Sequence, residues 1–130
     1  MPRLGPTTDD NRISGIVVDA ALAVHRTLGP GLLESVYEQC LVHELGSRDI
    51  RLRRQIALPV VYRDLRIDGG LRLDLLVEDR VVVELKAVER LLPIHEAQLL
   101  TYLKLSDRRL GLLVNFNAVT LKDGLRRMVL

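Results

Sequence analysis

Three charged residues stand in the most apolar part of the chain, residues 71–88. Asp74, Glu84 and Lys86 are surrounded there by leucines and valines. A buried strand that contains two carboxylates and an ammonium group must satisfy them with partners or with a cation, because an isolated charge is poorly solvated in an apolar interior. Two neighbouring carboxylates suit a hard divalent cation such as Mg²⁺ or Mn²⁺, and a lysine beside them could contact a water molecule or a phosphate. This combination indicates phosphodiester hydrolysis.

The two carboxylates come together only if the turn between them has the right length. Residues 71–88 predict two antiparallel strands, and a three-residue loop over residues 78–80 gives the required parity. The predicted opposed pairs are Val77 with Val81, Leu75 with Val83, Asp74 with Glu84, Leu73 with Leu85, and Arg72 with Lys86. The odd-numbered pairs would form a dry core face and the even-numbered pairs a chemical face. A two-residue loop would instead place Asp74 opposite Leu85.

The segments around this hairpin predict an α/β fold, with an α+β mixed sheet flanked by helices. Pro59 requires an edge position or a break in its strand, and residues 68–70 predict a turn. The near-continuous apolar run at residues 110–116 is typical of a buried strand. In chain order, the predicted elements are a helix to residue 28 capped by Thr8, Asp9 or Asp10, a helix over residues 32–46, a strand over 51–63, the hairpin over 71–88, a helix from Pro93 to residues 106–107, and strands over 110–116 and 125–130.

Length and composition favour one domain over residues 1–130, with residues 1–8 as a frayed start. Of the 130 residues 48% are hydrophobic, enough for a core that needs no disulfide or structural metal. The single cysteine, Cys40, cannot form an intramolecular bridge, and we expect it in the core of a protein in a reducing, cytoplasmic setting. The N-terminus lacks an apolar signal core and no run of about 18 apolar residues occurs, so neither export nor a membrane span is expected.

Charge and aromatic content limit the classes of partner. A formal charge of +2 favours a polyanionic partner only weakly, since 17 acidic residues accompany 19 basic ones. Arg51, Arg53 and Arg54 form a basic cluster that suits either a solvated surface or phosphate contact. With 3% aromatic residues, a stacking platform of several rings for single-stranded nucleic acid is not expected.

Two helices carry further polar residues that could face the hairpin. Glu34 lies at the border of the buried face near the N-terminus of the second helix. A surface carboxylate favoured by the helix dipole and a site residue would both fit this position. In the helix that begins at Pro93, His95, Gln98 and Tyr102 follow one stripe, opposite an apolar packing side. Periodicity alone does not distinguish such a stripe from an ordinary surface.

Several blocks of the sequence resemble a known family. Asp74 followed by Glu84-Leu85-Lys86 resembles the D…(D/E)xK signature of the PD-(D/E)XK nuclease superfamily. Residues 31–37, GLLESVY, are similar to the GxxExxY pattern that names a family of small bacterial proteins in this superfamily. The blocks VHRTLGPGLLESVYE, ELKAVERL, AQLLTYLKL and GLLVNF also look like blocks of that family. The resemblance covers nearly the whole chain after the first dozen residues.

The resemblance implies a PD-(D/E)XK restriction-endonuclease-like core and a nuclease that depends on Mg²⁺, or Mn²⁺, and acts on DNA. Asp74 and Glu84 would bind the catalytic metal, and Lys86 would position or activate the water. Glu34 would be an additional acidic residue of the catalytic and metal-binding set. The superfamily name has proline where Leu73 precedes Asp74. Because the carboxylate is the ligand, this difference leaves the implied metal binding in place.

The same resemblance assigns a part to the helix that begins at Pro93. Gln98 and Tyr102 look like the QxxxY motif of RecB-like nucleases, where the two residues help to complete the site and contact the nucleic acid. The chain is close to a bare nuclease core without an appended recognition domain. The resemblance therefore implies a nucleic-acid partner, with DNA as the expected substrate, and does not specify a sequence preference.

Two other interpretations fit the same residues. A fold does not by itself establish an activity, so the chain could be a non-catalytic module that binds nucleic acid or a protein partner. A homodimer is compatible with either function. Glu84 and Lys86 could also form an exposed pair on an edge strand, worth at most about 1 kcal/mol. In that case Asp74 would have no reason to lie in so apolar a strand.

Overall fold

The computed structural model describes residues 5–130, which contain three α-helices, five strands and a 3₁₀ helix. The first four residues of the frayed start expected over residues 1–8 lie outside the described part. In chain order the elements are α1 (Thr8–Leu28), α2 (Glu34–Ser47), β1 (Leu52–Tyr62), β2 (Leu65–Val77), β3 (Val81–Lys86), α3 (Pro93–Ser106), β4 (Leu110–Asn115), the 3₁₀ helix (Leu121–Gly124) and β5 (Leu125–Val129).

The five strands form one mixed sheet in the order β1-β2-β3-β4-β5. β3 and β4 are parallel, and α3 provides the crossover connection that a parallel pair requires. The other neighbouring strands are antiparallel. The expected α/β fold with a mixed sheet flanked by helices is therefore confirmed.

Apolar clusters cover both faces of the sheet. α1 and α2 contribute to one cluster through residues such as Val17 and Leu41, which are fully buried. α3 contributes to the other through Leu99 and Leu103. Gly111 of β4 allows α3 to approach, because a Cβ at this position would lie 2.9 Å from the Leu99 side chain. The prediction that the second face of the hairpin is purely chemical is therefore wrong, since an apolar layer under α3 occupies part of it.

The turn between β2 and β3 spans residues 78–80, as predicted. Its first two residues, Glu78 and Asp79, adopt left-handed backbone conformations with φ of 51° and 56°. The turn is tied to the start of β1, because the Glu78 N–H donates to the Arg51 carbonyl and the Glu78 carboxylate accepts the Arg51 N–H. The register pairs Val77 with Val81, Leu76 with Val82, and Leu75 with Val83. The parity predicted from the sequence is confirmed.

β2 changes its packing partner at Asp74. Leu75 lies in the apolar cluster under α1 and α2, whereas Leu73 lies in the cluster under α3. Opposite Asp74, Gln55 interrupts β1 with a left-handed φ of 48°. Going from the turn back along β2, the last residue that pairs with β3 is Leu75, the neighbour of Asp74. The predicted pairs of Leu73 with Leu85 and of Arg72 with Lys86 are therefore wrong, because β2 leaves β3 at this point.

β2 begins at Leu65, so the turn predicted at residues 68–70 is wrong. The chain reverses at residues 63–64, and the register between β1 and β2 shifts at Pro59, between Leu58 and Val60. Gly70 lies against Val60, where a Cβ would come within 2.9 Å of the Val60 side chain. The glycines thus allow a bulge in a continuous strand instead of a turn. β1 and β2 consequently form a hairpin much longer than β3.

The helix boundaries follow local capping. Thr7 caps α1, in place of the predicted Thr8, Asp9 or Asp10. Its Oγ1 accepts the Asp10 N–H at 3.1 Å, and the Asp10 carboxylate accepts the Thr7 N–H at 2.9 Å. α3 begins at Pro93, as predicted. Within residues 5–130, no helix has both the length and the apolar character that crossing a membrane would require.

Candidate active site

β2 and β3 separate at Asp74 and Glu84, whose side chains replace the hydrogen bonds of the ladder. The Asp74 N–H donates to Glu84 Oε2 at 2.8 Å, and the Leu85 N–H donates to Asp74 Oδ2 at 2.9 Å. Each carboxylate therefore binds the backbone of the other strand through one oxygen and has a second oxygen for another partner. The prediction that Asp74 and Glu84 lie close together is confirmed. The two strands are joined here by side-chain to backbone hydrogen bonds, because Asp74 and Glu84 are not an opposed pair of the ladder.

Burial and mutual repulsion make this pair difficult to ionise. Glu84 is only 5% exposed. Burial, followed by the charge of Asp74, raises the pKa of Glu84 to about 8. Burial also raises the pKa of Asp74. Two carboxylates in this state favour any bound positive charge, because a cation stabilises their ionised forms.

Lys86 and Glu34 complete a group of charges around the pair. The ammonium group of Lys86 acts on Asp74, Glu84 and Glu34, and in each case its charge opposes the rise in pKa. Burial of its carboxylate, followed by the charge of Asp74, raises the pKa of Glu34, although the residue as a whole is exposed. The backbone N–H of Ala87, just beyond β3, also opposes the rise in the pKa of Glu34. The structure thus brings together the four acidic and basic residues expected from the sequence.

The loop before α2 positions Glu34. Tyr37 is fully buried, and its hydroxyl donates to the Gly29 carbonyl at 2.6 Å and accepts the Leu32 N–H at 3.0 Å. Gly31 turns the loop with a φ of 102°, which favours glycine. The glycine, glutamate and tyrosine of the GxxExxY pattern therefore have separate parts: Gly31 shapes the loop, Tyr37 ties it to α2, and Glu34 faces the carboxylates.

A buried asparagine holds the chain just after Lys86. Asn115, at the end of β4, accepts the Val88 N–H through Oδ1 at 3.0 Å and donates to the Val88 carbonyl through Nδ2 at 2.9 Å. Asn117 also donates to the Val88 carbonyl, and its Oδ1 accepts the Gly31 N–H at 2.9 Å. This network joins the end of β3 to the loop before α2. Sequence reasoning missed it, although an asparagine within the apolar run of residues 110–116 was a signal.

α3 brings two of its three polar stripe residues to the site. Gln98 Nε2 donates to the Tyr102 hydroxyl at 3.0 Å. Burial, and then the charges of Glu84 and Asp74, raise the pKa of Tyr102, so the hydroxyl lies within electrostatic reach of both carboxylates. His95 instead caps the start of the helix, since its Nδ1 accepts the Leu92 N–H at 2.9 Å.

Glu38 and Gln55 form a second layer of polar groups beside Asp74. Glu38 is 8% exposed and accepts hydrogen bonds from Gln55 Nε2 at 2.6 Å and from Arg54 Nη2 at 2.8 Å. The Gln55 side chain also lies close enough to Asp74 to oppose the rise in the pKa of Asp74. Sequence analysis did not identify either residue as part of the site. The available signal was weak: Glu38 follows Glu34 by one helical turn.

The carboxylate pair fits a hard divalent cation that has few protein ligands. Mg²⁺ is commonly bound through one or two carboxylates, and water and substrate phosphate complete its coordination. Asp74 and Glu84 offer this donor set, with one oxygen each beyond those that accept backbone N–H groups. Within residues 5–130, no three His, Cys, Asp or Glu side chains are arranged as a ready-made metal site. Glu34 as a third ligand stays a prediction.

The comparisons with known proteins identify a family. The family model of the PD-(D/E)XK nuclease superfamily matches residues 11–128, a span that contains all of the candidate site residues. No curated protein and no solved structure matches the chain.

Proposed function

Because the chain belongs to the PD-(D/E)XK nuclease superfamily, whose members are generally nucleases, we propose that it hydrolyses phosphodiester bonds in DNA with a divalent cation. One observation carries the proposal: Asp74 and Glu84 exchange hydrogen bonds across the separating strands, with Lys86 two residues further along β3. This arrangement supports phosphodiester hydrolysis, because a cation at the carboxylates and the Lys86 ammonium group could both neutralise negative charge on the phosphate.

We also assign the chain to the GxxExxY family within this superfamily. The assignment is supported by the parts that the three residues of the pattern have in the fold. Gly31 and Tyr37 shape and tie the loop, and Glu34 then lies close enough to Asp74 for the two charges to interact. In this pattern two residues position the carboxylate of the third. Such a pattern identifies a family more specifically than the spacing of D…ExK does.

Each site residue has a proposed role in hydrolysis. A divalent cation such as Mg²⁺ or Mn²⁺, held by Asp74 and Glu84, would neutralise the phosphate and activate the attacking water. The Lys86 ammonium group donates to this water or to a phosphate oxygen and stabilises the negative charge that develops there. Glu34, whose carboxylate interacts with the charges of Asp74 and Lys86, supplies the additional carboxylate that orients the water or contributes a ligand.

Gln98 and Tyr102 are proposed to contact the nucleic acid. Because the pKa of Tyr102 is raised, its hydroxyl stays protonated at neutral pH and can donate to a phosphate oxygen. The hydroxyl accepts a hydrogen bond from Gln98, which orients its proton outward. One domain over residues 1–130, a homodimer and a cytoplasmic setting stay predictions from the sequence.

Cleavage assays test the proposed function directly. We expect the purified chain to degrade or nick labelled single- or double-stranded DNA with Mg²⁺ or Mn²⁺, and to be inactive in EDTA. Asp74→Asn retains an oxygen that can accept the Leu85 N–H but loses the charge, so we expect it to fold and to lose cleavage. Asp19→Asn, at an exposed position of α1, is the matched control. Equal inertness of wild type and Asp74→Asn on DNA and RNA would refute the proposal.

Gln55→Gly is expected to lower activity while the fold is retained. Glycine adopts the left-handed backbone of position 55 without steric cost, so the substitution removes the amide that lies between Glu38 and Asp74 and that also contacts Arg72. Loss of such a supporting contact typically costs about 10- to 100-fold in activity or metal affinity. The measurements are kcat and the concentration of Mg²⁺ required for half-maximal rate.

Asp49→Gly is the control for this substitution, because Asp49 is exposed and also has a left-handed φ, 59°. We expect the control to leave both measurements unchanged. If Gln55→Gly retained the wild-type kcat and the wild-type Mg²⁺ requirement, Gln55 would have no positioning role at Asp74.

A further inference from the structure

The hairpin of β1 and β2 extends well beyond the rest of the sheet. β3 pairs with β2 only over residues 75–77, whereas the pairing of β1 with β2 continues to Tyr62 and Leu65. All residues from 61 to 70 are exposed. We call the part of the hairpin formed by residues 57–62 and 65–72, with its tip at residues 63–64, the ribbon. It begins next to Gln55 and Asp74 and projects away from them.

Positive charge is concentrated in the hairpin of β1 and β2, counted from Arg51. The ribbon alone, residues 57–72, contains three arginines and two aspartates, a net charge of +1. Residues 51–72 contain six arginines and two aspartates, a net charge of +4. The whole chain has a formal charge of +2, so the remaining residues together carry −2. The slight basic excess of the protein therefore comes entirely from the hairpin that borders Asp74. Arg53 and Arg54 pair with Asp79 and Glu38, so the positive field of the hairpin comes mainly from Arg51 and from the three arginines of the ribbon.

The two faces of the ribbon differ in character. Tyr62 pairs with Leu65 on the face of the sheet that carries the apolar cluster under α3 further along, although both of these side chains are exposed. On the opposite face Arg72 pairs with Ala57, and Arg66 pairs with Val61. The second face leads back to the carboxylates, since Arg72 Nη1 lies 3.4 Å from Gln55 Oε1, the amide beside Asp74.

Two further arginine contacts lie at the tip of the ribbon and in the strand just after it. The Arg63 guanidinium lies over the Tyr62 ring, 5.3 Å from its centroid. Arg66 pairs with Asp68 at 2.8 Å, and both side chains are more than half exposed. An exposed pair of this kind contributes little, so Arg66 can exchange Asp68 for a phosphate oxygen at small cost.

We propose that the ribbon binds the phosphate backbone of duplex DNA and holds the strand that enters the site at Asp74. This inference rests on the proposed function, because it extends the same substrate away from the carboxylates. Val61, the partner of Arg66, lies six residue steps along β1 from Gln55. At about 3.3 Å per residue they span roughly 20 Å, or about six base pairs.

A second copy of the chain is the rival occupant of the exposed ribbon. A two-fold dimer through the ribbons would also bring together the two β1–β2 hairpins, whose residues 51–72 carry a formal charge of +4 each, and like charges in one interface are unfavourable. A polyanion gains from the same charge, because each arginine that contacts a phosphate releases a counterion. The charge of residues 51–72 therefore favours DNA.

The test compares two double variants with equal total charge. Arg63→Gln with Arg66→Gln removes two charges from the ribbon, whereas Arg26→Gln with Lys122→Gln removes two from exposed positions of α1 and the 3₁₀ helix. Binding of a labelled 30-base-pair DNA duplex is measured in EDTA, without hydrolysis, between 50 and 200 mM KCl. Thermal unfolding verifies that all three proteins are folded.

We expect the ribbon variant to bind at least about tenfold more weakly than wild type at 100 mM KCl. We also expect its slope of log K against log[KCl] to be less steep by about 2, since each lost phosphate contact removes about 0.9. The control variant should retain the wild-type slope. Equal slopes for the two variants would overturn the proposal. A ribbon variant that loses a dimer in sedimentation while its DNA affinity is unchanged would also overturn it, in favour of a second copy.

Hydrolysis of a small ester separates this proposal from the nuclease proposal. Bis(p-nitrophenyl) phosphate is too short to reach the ribbon, so wild type and the ribbon variant should hydrolyse it at equal rates with Mn²⁺. If the wild type hydrolysed neither this ester nor DNA, the nuclease proposal would fail on that result. The ribbon proposal is decided independently by the binding slopes.

Discussion

Lys86→Met is expected to lower kcat on DNA by about 10²- to 10⁴-fold, the range typical for loss of one group that transfers a proton or stabilises charge in the transition state. Methionine retains a long apolar stem, so the end of β3 and its parallel pairing with β4 should persist. The variant loses the ammonium group that acts on Asp74, Glu84 and Glu34. We therefore expect the chemical step to slow while DNA affinity changes little.

Single-turnover cleavage and DNA binding in EDTA separate these two effects. Lys104→Met, at an exposed position of α3, removes the same charge away from the carboxylates and serves as the control. We expect wild-type kcat for the control. A Lys86→Met protein that cleaves within about threefold of wild type would remove Lys86 from the reaction.

Glu84→Gln is expected to stabilise the metal-free protein at pH 8, by on the order of a few kcal/mol. The pKa of Glu84 is raised from 4.5 to about 8 in the folded state, first by burial and then by Asp74. Between these two values the folded state binds more protons than the unfolded state. The wild-type free energy of unfolding therefore falls as pH rises from about 4.5 to 8. Asp74 and Glu34 act in the same direction, since their pKa values are also raised.

Urea unfolding at several pH values in EDTA measures this effect. Glutamine can still accept the Asp74 N–H through its Oε1 but does not titrate, so the pH dependence should become shallower. Glu89→Gln, an exposed position beyond β3, should follow the wild-type curve. If wild type and Glu84→Gln had parallel pH profiles, the raised pKa of Glu84 would be refuted.

A divalent cation should offset the loss of stability that ionised Glu84 causes in the wild type at pH 8. A ligand that binds only the folded state raises the free energy of unfolding in proportion to the logarithm of its concentration above Kd. We expect millimolar Mg²⁺ or Mn²⁺ to raise the unfolding midpoint of wild type at pH 8, and to raise that of Glu84→Gln less. Equal midpoint shifts would place the cation away from Glu84.

Local patterns predicted the elements that depend on close neighbours along the chain. Pro93 marked the start of α3 because proline is favoured at a helix start and cannot continue a helix. The 78–80 loop followed from the pairing parity that brings Asp74 and Glu84 together across the hairpin. In both cases the residues that decide the structure lie within a few positions of each other.

Pairing with a distant strand decided the structure where the local pattern was ambiguous. Residues 68–70, Asp-Gly-Gly, suit a turn or a bulge equally well. Only the approach of Gly70 to Val60 of β1 selects the bulge. The strand lengths predicted from the sequence did not indicate the long ribbon. They therefore gave no sign of the proposed DNA contact.

By itself, the sequence determined which groups are available for chemistry, and tertiary structure decided how they meet. Asp74, Glu84 and Lys86 were identifiable because charged residues are costly in an apolar stretch. The fold decided that the two carboxylates exchange backbone hydrogen bonds where β2 leaves β3. It also placed Gln55 against Asp74 and Asn115 against Val88. These contacts join residues from separate elements, and their geometry depends on how those elements pack, which the spacing of residue types does not encode.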